Sequence, residues 1–262
     1  MTVPLTERSS TVTGAAKLQR RSERVAAGRF LAEGPNLVEA AARHGVIDRV
    51  FATEVATQRY APLLRGLVVV TVTDRAMKAL SETVTPAGLV AVCRIPDGRL
   101  DDILASGPSL IVVAVDVADP GNAGTLIRLA DAMGAAAVIF AGDAVDPFNG
   151  KCVRASAGSI FAVSILGEKD SAGLIGGLRG AGLQVLATTL DGELTLDDAE
   201  SVLAGPTAWL FGPEAHGLSE GVAAAADHRI VIPMSGGVDS LNVAAAAAIC
   251  LYQSAKAQRS RG

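Results

Sequence analysis

From residue 109 onward, short apolar runs rich in β-branched residues alternate with helical stretches, and this alternation constrains the fold more than any other feature. The runs are Leu110–Val117, Ala136–Phe140, Ile160–Leu166, Leu183–Thr189, Thr207–Phe211 and Arg229–Ile232. Between them Asn122–Met133, Asn149–Ala157, Ala172–Arg179, Thr195–Leu203 and Ser219–Ala226 carry mostly helical patterns, and a final Ala-rich helix is expected from about Ser240. A strand that is apolar on both sides is one covered on both faces. Strands of that kind spaced by helices predict an α/β domain built on a parallel sheet, over residues 109–262.

Residues 30–95 read as a smaller α/β unit. Leu31 to Arg43 has helical apolar spacing, Val46–Val50 reads as a strand, and Leu67–Val72 reads as a buried strand. Asp74 is placed to cap a helix over Arg75–Leu80, and Gly88–Cys93 closes the unit with a further strand. The turn-rich stretch 96–108, from Pro96-Asp97-Gly98 to Gly107-Pro108, is the expected linker. Residues 1–29 form a basic segment: Arg8, Lys17, Arg20, Arg21, Arg24 and Arg29 are opposed only by Glu7 and Glu23. Such a cluster is either a solvated face or an RNA-facing patch.

The whole chain of 262 residues nevertheless carries a formal charge of −4. That balance excludes a protein that coats a duplex through a general basic excess, though not one with a local basic patch. The longest strongly apolar uncharged stretch, Ser240–Ala255, has 16 residues, short of the roughly 20 needed to span a bilayer. The first 21 residues lack a signal peptide's apolar core, so a cytoplasmic protein without a membrane partner is expected. Cys93, Cys152 and Cys250 have no metal-type spacing and fit a reduced compartment. No metal is expected.

Ligands of parallel α/β sheets sit beyond the carboxyl ends of the strands. Three loops there stand out. The first, Asp119-Pro120-Gly121-Asn122-Ala123-Gly124, opens a helix; Asn122 suits its N-cap, and Arg128 lies less than two turns on. The second, Phe211-Gly212-Pro213-Glu214-Ala215-His216-Gly217, holds a carboxylate and a histidine between glycines. His216 is read there as a structural hydrogen-bonding residue. The third, Ile232-Pro233-Met234-Ser235-Gly236-Gly237-Val238-Asp239-Ser240-Leu241-Asn242, contains the Ser-Gly-Gly-Val-Asp-Ser pattern of the PP-loop ATP pyrophosphatases. A glycine-rich loop before a helix cradles phosphate through its N–H groups. The PP-loop enzymes, however, place an adenylate-binding domain after this motif, where 22 residues follow Ser240.

Taken in order, the loops resemble motifs of the SpoU (TrmH-type) family of SPOUT RNA 2′-O-ribose methyltransferases. The first reads Asn122-x-Gly-x-x-x-Arg128-x-Ala-x-x-x-Gly134, the second Phe211-Gly-Pro-Glu214-Ala-His-Gly-Leu218-Ser219, and the third Ile232-Pro-Met-Ser-Gly followed by Ser240-Leu-Asn242-Val. Phe148-Asn-Gly-Lys151-Cys-Val-Arg154-Ala-Ser156-Ala-Gly158 is also similar to the family. Phe30-Leu-Ala-Glu-Gly-Pro-Asn-Leu-Val-Glu-Ala resembles its small ribosomal-protein-like N-terminal RNA-binding domain. The resemblance is greatest to members acting on large-subunit rRNA, thiostrepton-resistance methyltransferases among them. Two departures stand out: Pro213-Glu214-Ala215-His216 replaces the common Asn-Glu-Gly, and Ala244 stands where many members have Ser.

The resemblance implies a C-terminal SPOUT domain with a deep trefoil knot, a homodimer packed through the knot and the last helix, and S-adenosylmethionine as cofactor. It implies methyl transfer to a ribose 2′-OH, of 23S rRNA first and of tRNA as the alternative. Asn122, Arg128, Glu214, Ser240 and Asn242 would be catalytic, with Arg128 as the fixed cation that stabilises a developing alkoxide. Backbone around Leu210, Phe211 and Gly212, and around Ile232, Pro233 and Met234, would wall the cofactor together with Leu241. Thr188 and Thr189 would add contacts from the end of their strand. Arg20, Arg21, Arg24, Arg29, Lys151 and Arg154 would meet RNA. The rival of a different class is a non-catalytic RNA- or ribosome-binding protein of the same fold.

Overall fold

The computed structural model describes residues 3–237 and 239–260 and divides into two compact units. One comprises residues up to Asp97 together with Phe148–Ala162; the other comprises Gly98–Pro147 and the chain from Val163. The division falls inside the stretch 96–108.

The first unit is built on four strands: β1 (Arg29–Glu33), β2 (Ile47–Thr53), β3 (Val69–Val72) and β4 (Leu89–Arg94). Their order is β1-β4-β2-β3, antiparallel except for the parallel pair β2–β3. The helical pattern read from Leu31 is broken. Residues 29–33 pair with β4, burying Phe30 and Ala32 in strand alternation, and the helix runs only over Pro35–Arg43. Gly34, at φ 95°, makes the corner, and Pro35 has the φ a first helical residue needs. Within the run Leu67–Val72, β3 is the outermost strand of the sheet, half-buried except at Val72. Beyond β2 it is covered, among the described residues, only by a bridge from Leu5, whose N donates to Thr71 O at 2.9 Å. The helix Asp74–Leu80 is capped by Thr73, whose Oγ1 accepts from Ala76 N at 3.2 Å, one residue earlier than expected.

Residues 10–27 are not a loose basic segment. They form helices Ser10–Ala16 and Arg21–Ala27 about a short 3₁₀ turn, and Val12, Ala15 and Leu18 join Phe51, Met77 and Leu80 in the core. Phe148 and Phe161 close over Phe30, with ring centroids 4.9 and 5.8 Å from it.

The second unit holds β5 (Leu110–Val115), β6 (Ala137–Ala141), β7 (Ser164–Glu168), β8 (Gln184–Thr188), β9 (Leu194–Thr195), β10 (Thr207–Phe211) and β11 (His228–Val231). All pairings are parallel, in the order β7-β6-β5-β10-β8-β11-β9. Every side chain of β5, β6 and β10 is buried, as the apolar runs require. The stretch Ile160–Leu166 starts later as a strand, because Ser159–Phe161 is a 3₁₀ turn within the first unit.

From β5 the chain builds outward to β7, then returns to lay β10 beside β5 and β8. The order therefore reverses between β5 and β10, and the loops after these two strands diverge from one crevice. The 17-residue helix Val243–Arg259 packs on the helix Pro120–Met133 and on β10. Buried Trp209 fixes it there: Nε1–H donates to Ser254 Oγ at 2.8 Å.

Candidate active site

Two helix starts and one loop build the site. Asp119 caps Pro120–Met133, its Oδ1 accepting from Asn122 N at 2.9 Å; it takes the cap position that Asn122 was expected to fill. Asn122 is freed by this for another contact: its Oδ1 accepts from Asn242 Nδ2 at 3.2 Å. Asn242 in turn caps Val243–Arg259, accepting from Ala244 N at 2.9 Å and Ala245 N at 3.2 Å. Its amide also donates to Glu214 Oε1, which accepts from Val243 N at 3.4 Å as well. Residues 120 positions apart are thus joined through side chains, and the carboxylate of Glu214 sits at a helix N-terminus, where a negative charge is favoured. Three of the five expected catalytic residues, Asn122, Glu214 and Asn242, form this one cluster.

Arg128 stands on the exposed side of Pro120–Met133 and makes no ion pair or hydrogen bond among the described residues. Ser240 is exposed on the wall of a cavity of about 700 Å³. That volume is in the range of small-molecule sites. Glu214 and Leu241 share the wall, while Asn122, Arg128 and Asn242 do not.

Of the expected cofactor contacts, Thr188, Thr189, Gly212, Ile232, Met234 and Leu241 line the cavity. Leu210, Phe211 and Pro233 do not. Leu210 and Phe211 have fully buried side chains, so only their backbone is available, and Leu210 O already accepts from Thr188 Oγ1 at 3.2 Å. Thr189 Oγ1 is buried with no hydrogen-bond partner, although it belongs to a wall residue. A buried hydroxyl left unpaired costs stability unless a ligand satisfies it. This orphan, with mixed polar and apolar walls, fits a nucleoside-bearing ligand such as S-adenosylmethionine.

Sequence reasoning missed the loop after β8. Leu190, Asp191 and Arg229 also line the cavity, and Arg229 is fixed by Glu193, with bonds to Oε1 and Oε2 of 2.8 and 2.9 Å. The backbone N–H groups of Arg229 and of Glu193 itself, and after them the Arg229 guanidinium, hold the Glu193 carboxyl below the usual carboxylate range. Gly192 is what lets this loop close, since a Cβ there would fall 2.4 Å from Arg229 O. An acidic residue and a glycine one after the other were the available signal. His216 is exposed on the cavity wall without a hydrogen bond among the described residues, contrary to the structural role expected of it.

The glycines of Ser235-Gly236-Gly237 do not lie at a helix N-terminus, because the helix begins only at Val243. A phosphate cradle needs the loop's N–H groups and the helix end together. The PP-loop likeness therefore ends at the sequence.

The expected RNA contacts divide. Arg20, Arg21 and Lys151 are exposed. Arg24, expected to face RNA, is buried at 4% exposure, its Nη1 donating to Leu18 O and Gln19 O at 2.8 and 2.9 Å. Burial without such acceptors would be prohibitive for a charge, so this arginine braces the N-terminal helices. Arg29 is bonded to Asp48 and to Ala27 O. Arg154 lies between Glu82 and Glu33, at 3.5 and 3.8 Å, all within the first unit.

A parallel sheet with a ligand-sized cavity beyond the ends of β8, β10 and β11, flanked by a buttressed carboxamide–carboxylate cluster, defines an α/β protein with a ligand site at the carboxyl end of its sheet. The SpoU rRNA Methylase family model matches residues 109–252, and an MRM3-like substrate binding domain matches residues 10–91. The chain belongs to the SpoU methylase family. It is 31% identical over 236 residues to the 23S rRNA guanosine 2′-O-methyltransferase RlmP of Bacillus subtilis, covering 90% of this chain and 92% of that one. Among solved structures, the SpoU methyltransferase AviRb of Streptomyces viridochromogenes, in complex with AdoMet, superposes with a TM-score of 0.86 at 30% identity, covering 97% of this chain and all (100%) of the other. The AdoMet-bound rRNA methyltransferase of Sinorhizobium meliloti gives 0.83 at 31% identity, covering 97% of both chains.

Proposed function

We propose that this protein transfers a methyl group from S-adenosylmethionine to a ribose 2′-OH of 23S rRNA. The observation that carries the reading is the Asn122–Asn242–Glu214 cluster, set at the carboxyl end of the sheet beside a cavity whose wall includes Glu214, Thr188 and Thr189. When bound, S-adenosylmethionine supplies a methyl group already activated on a sulfonium.

The protein's own task is the weak nucleophile. The ribose hydroxyl must be held within about 3–3.5 Å of the methyl carbon, and the charge that grows on its oxygen must be stabilised. Asn122, Glu214 and Asn242 fix the two helix starts against each other, and Ser240 adds a hydroxyl at the cavity edge. Arg128 supplies the fixed cation; a guanidinium stays protonated, so the proton passes to water or an RNA phosphate rather than to Arg128. Thr188, Thr189, Gly212, Ile232, Met234 and Leu241 hold the cofactor with the backbone of Leu210, Phe211 and Pro233.

The reading includes a homodimer. Arg128 is exposed and outside the cavity lining, and Ile249 and Tyr252, 39% and 51% exposed, stand one turn apart on Val243–Arg259. A second copy covering this helix buries both and brings an Arg128 to the site. The reading also includes a trefoil knot formed by the loops 212–219 and 232–242, and a ribosomal-protein-like RNA-binding fold in the first unit. The substrate domain is the unit up to Asp97 with Phe148–Ala162, built around residues 30–95, and the methyltransferase domain is the remainder, so that Phe148–Ala162 leaves the expected span 109–262. Of the expected linker 96–108, Leu100–Ala105 is a helix whose Leu100, Ile103 and Leu104 pack against the core of the second unit. Arg20, Arg21, Lys151 and Arg154 meet RNA phosphates. The protein works in the cytoplasm, in keeping with three cysteines that are all buried. Among the described residues, no helix is long and apolar enough to cross a membrane.

Calorimetric titration of the purified protein tests the cofactor. S-adenosylmethionine is expected to bind with one site per chain and ATP to give no heat. Binding of ATP alone would overturn the reading.

A further inference from the structure

Asp116 follows β5, at the mouth of the crevice, and holds a left-handed backbone with φ 51°. Among the described residues only Ala157 shares this among non-glycines; every other positive φ belongs to glycine. L-residues avoid this region because Cβ crowds the neighbouring carbonyl, though aspartate tolerates it better than most. A turn that needed only its backbone shape would be served by glycine without that cost. The aspartate therefore marks a place where the side chain matters.

What the side chain does is visible. Asp116 Oδ1 accepts from Asp143 N at 2.8 Å, across to the loop after β6. Asp116 N donates to Ala141 O at 3.0 Å, and Val145 N donates to Val117 O at 3.0 Å. Gly142 makes the room: a Cβ there would lie 2.2 Å from Asp116 Oδ1. Three hydrogen bonds thus stitch the loop after β5 to the loop after β6. From Val117, itself buried, the chain runs directly to the cap Asp119, to Asn122 in the first helical turn, and to Arg128 on the same helix.

We propose that Asp116 is a positioning residue for methyl transfer, its carboxylate tying the loop after β5 to the loop after β6 and so setting where the helix Pro120–Met133 presents Asn122 and Arg128. The reaction it serves rests on the function proposed above. Asp116 itself touches neither substrate nor cofactor, so its removal acts on turnover rather than on binding.

Two variants separate positioning from folding. Asp116→Gly keeps the left-handed backbone but removes the tie; Asp116→Asn keeps both the conformation and an Oδ1 acceptor. With Asp116→Gly, kcat is expected to fall on the order of 10²-fold, as for a small misplacement of reacting groups, with KM for rRNA and Kd for S-adenosylmethionine within about two-fold of the parent. Asp116→Asn restores kcat to within about three-fold. Amide hydrogen exchange gives a readout independent of turnover: segments 117–122 and 142–145 exchange faster together in Asp116→Gly and not in Asp116→Asn. Parental kcat in Asp116→Gly, or unchanged exchange at 117–122, overturns the proposal. If the parent itself transfers no methyl group, the proposed reaction is what fails, and the exchange result alone then decides the positioning role.

Discussion

Replacing Arg128 by alanine is expected to lower turnover by on the order of 10²–10³-fold, the loss seen when one preorganised charge-stabilising donor is removed, while cofactor affinity stays within about two-fold. The separation follows from position. Arg128 is exposed on its helix, has no hydrogen bond or ion pair among the described residues, and is absent from the cavity wall. It braces nothing in the fold, so the variant should unfold at the parent's temperature. Arg128→Lys keeps the charge but loses the planar fork, and should fall between the two. Single-turnover transfer to rRNA, with calorimetry for the cofactor, reads both numbers. Parental turnover in Arg128→Ala would remove Arg128 from the chemistry.

A single methyl group at Gly212 should instead act on cofactor binding as well as on turnover. Its Cβ would lie 2.5 Å from Leu218 N and 2.6 Å from the Gly217 carbonyl carbon. Both are backbone atoms of the loop that carries Glu214, closed by a bond from Gly217 N to Pro213 O at 2.9 Å. Neither contact can be relieved by a rotamer change, so the whole loop must move away from β10 and the cavity wall with it. Gly212→Ala is expected to weaken S-adenosylmethionine binding at least about ten-fold, or 1.4 kcal/mol, and to lower turnover further by displacing Glu214 from Asn242. Circular dichroism should show the fold kept, since the strain falls on the loop after β10 and leaves the strand pairings intact. Unchanged cofactor affinity would mean that the loop after β10 does not wall the site.

The sheet of the second unit was legible in the sequence because its strands are buried on both faces and advertise themselves as apolar runs. Residues 30–33 were not legible as a strand. Phe30 and Ala32 face inward with strand spacing, but Leu37, Val38 and Ala41 continue the pattern at helical spacing, and only the corner at Gly34 separates them. Charge was the poorest guide. Arg24 contributes to the basic count of the N-terminus yet lies buried against main-chain carbonyls, which no spacing rule announces.

Within the site, motif order brought out Asn122, Glu214 and Asn242 before any contact among them was known. The hydrogen bonds that join them could not be read, because they span 120 and 28 positions and depend on which strands lie side by side. The roles of Asp119 and Asp116 were hidden for a different reason. Capping and left-handed geometry are fixed by where the strand stops, and that boundary moved from Val117 to Val115.

The most direct test of the account is the chemical position of the transferred methyl group. Purified protein incubated with rRNA and S-adenosylmethionine carrying a tritiated methyl group should label the RNA, and the label should survive alkaline hydrolysis within dinucleotides. Alkali cleaves RNA through the 2′-oxygen, so a methyl group there protects the adjoining phosphodiester. Label recovered in mononucleotides, as base methylation would give, or no label at all with cofactor bound, would contradict the assignment of ribose 2′-O-methyl transfer to this site.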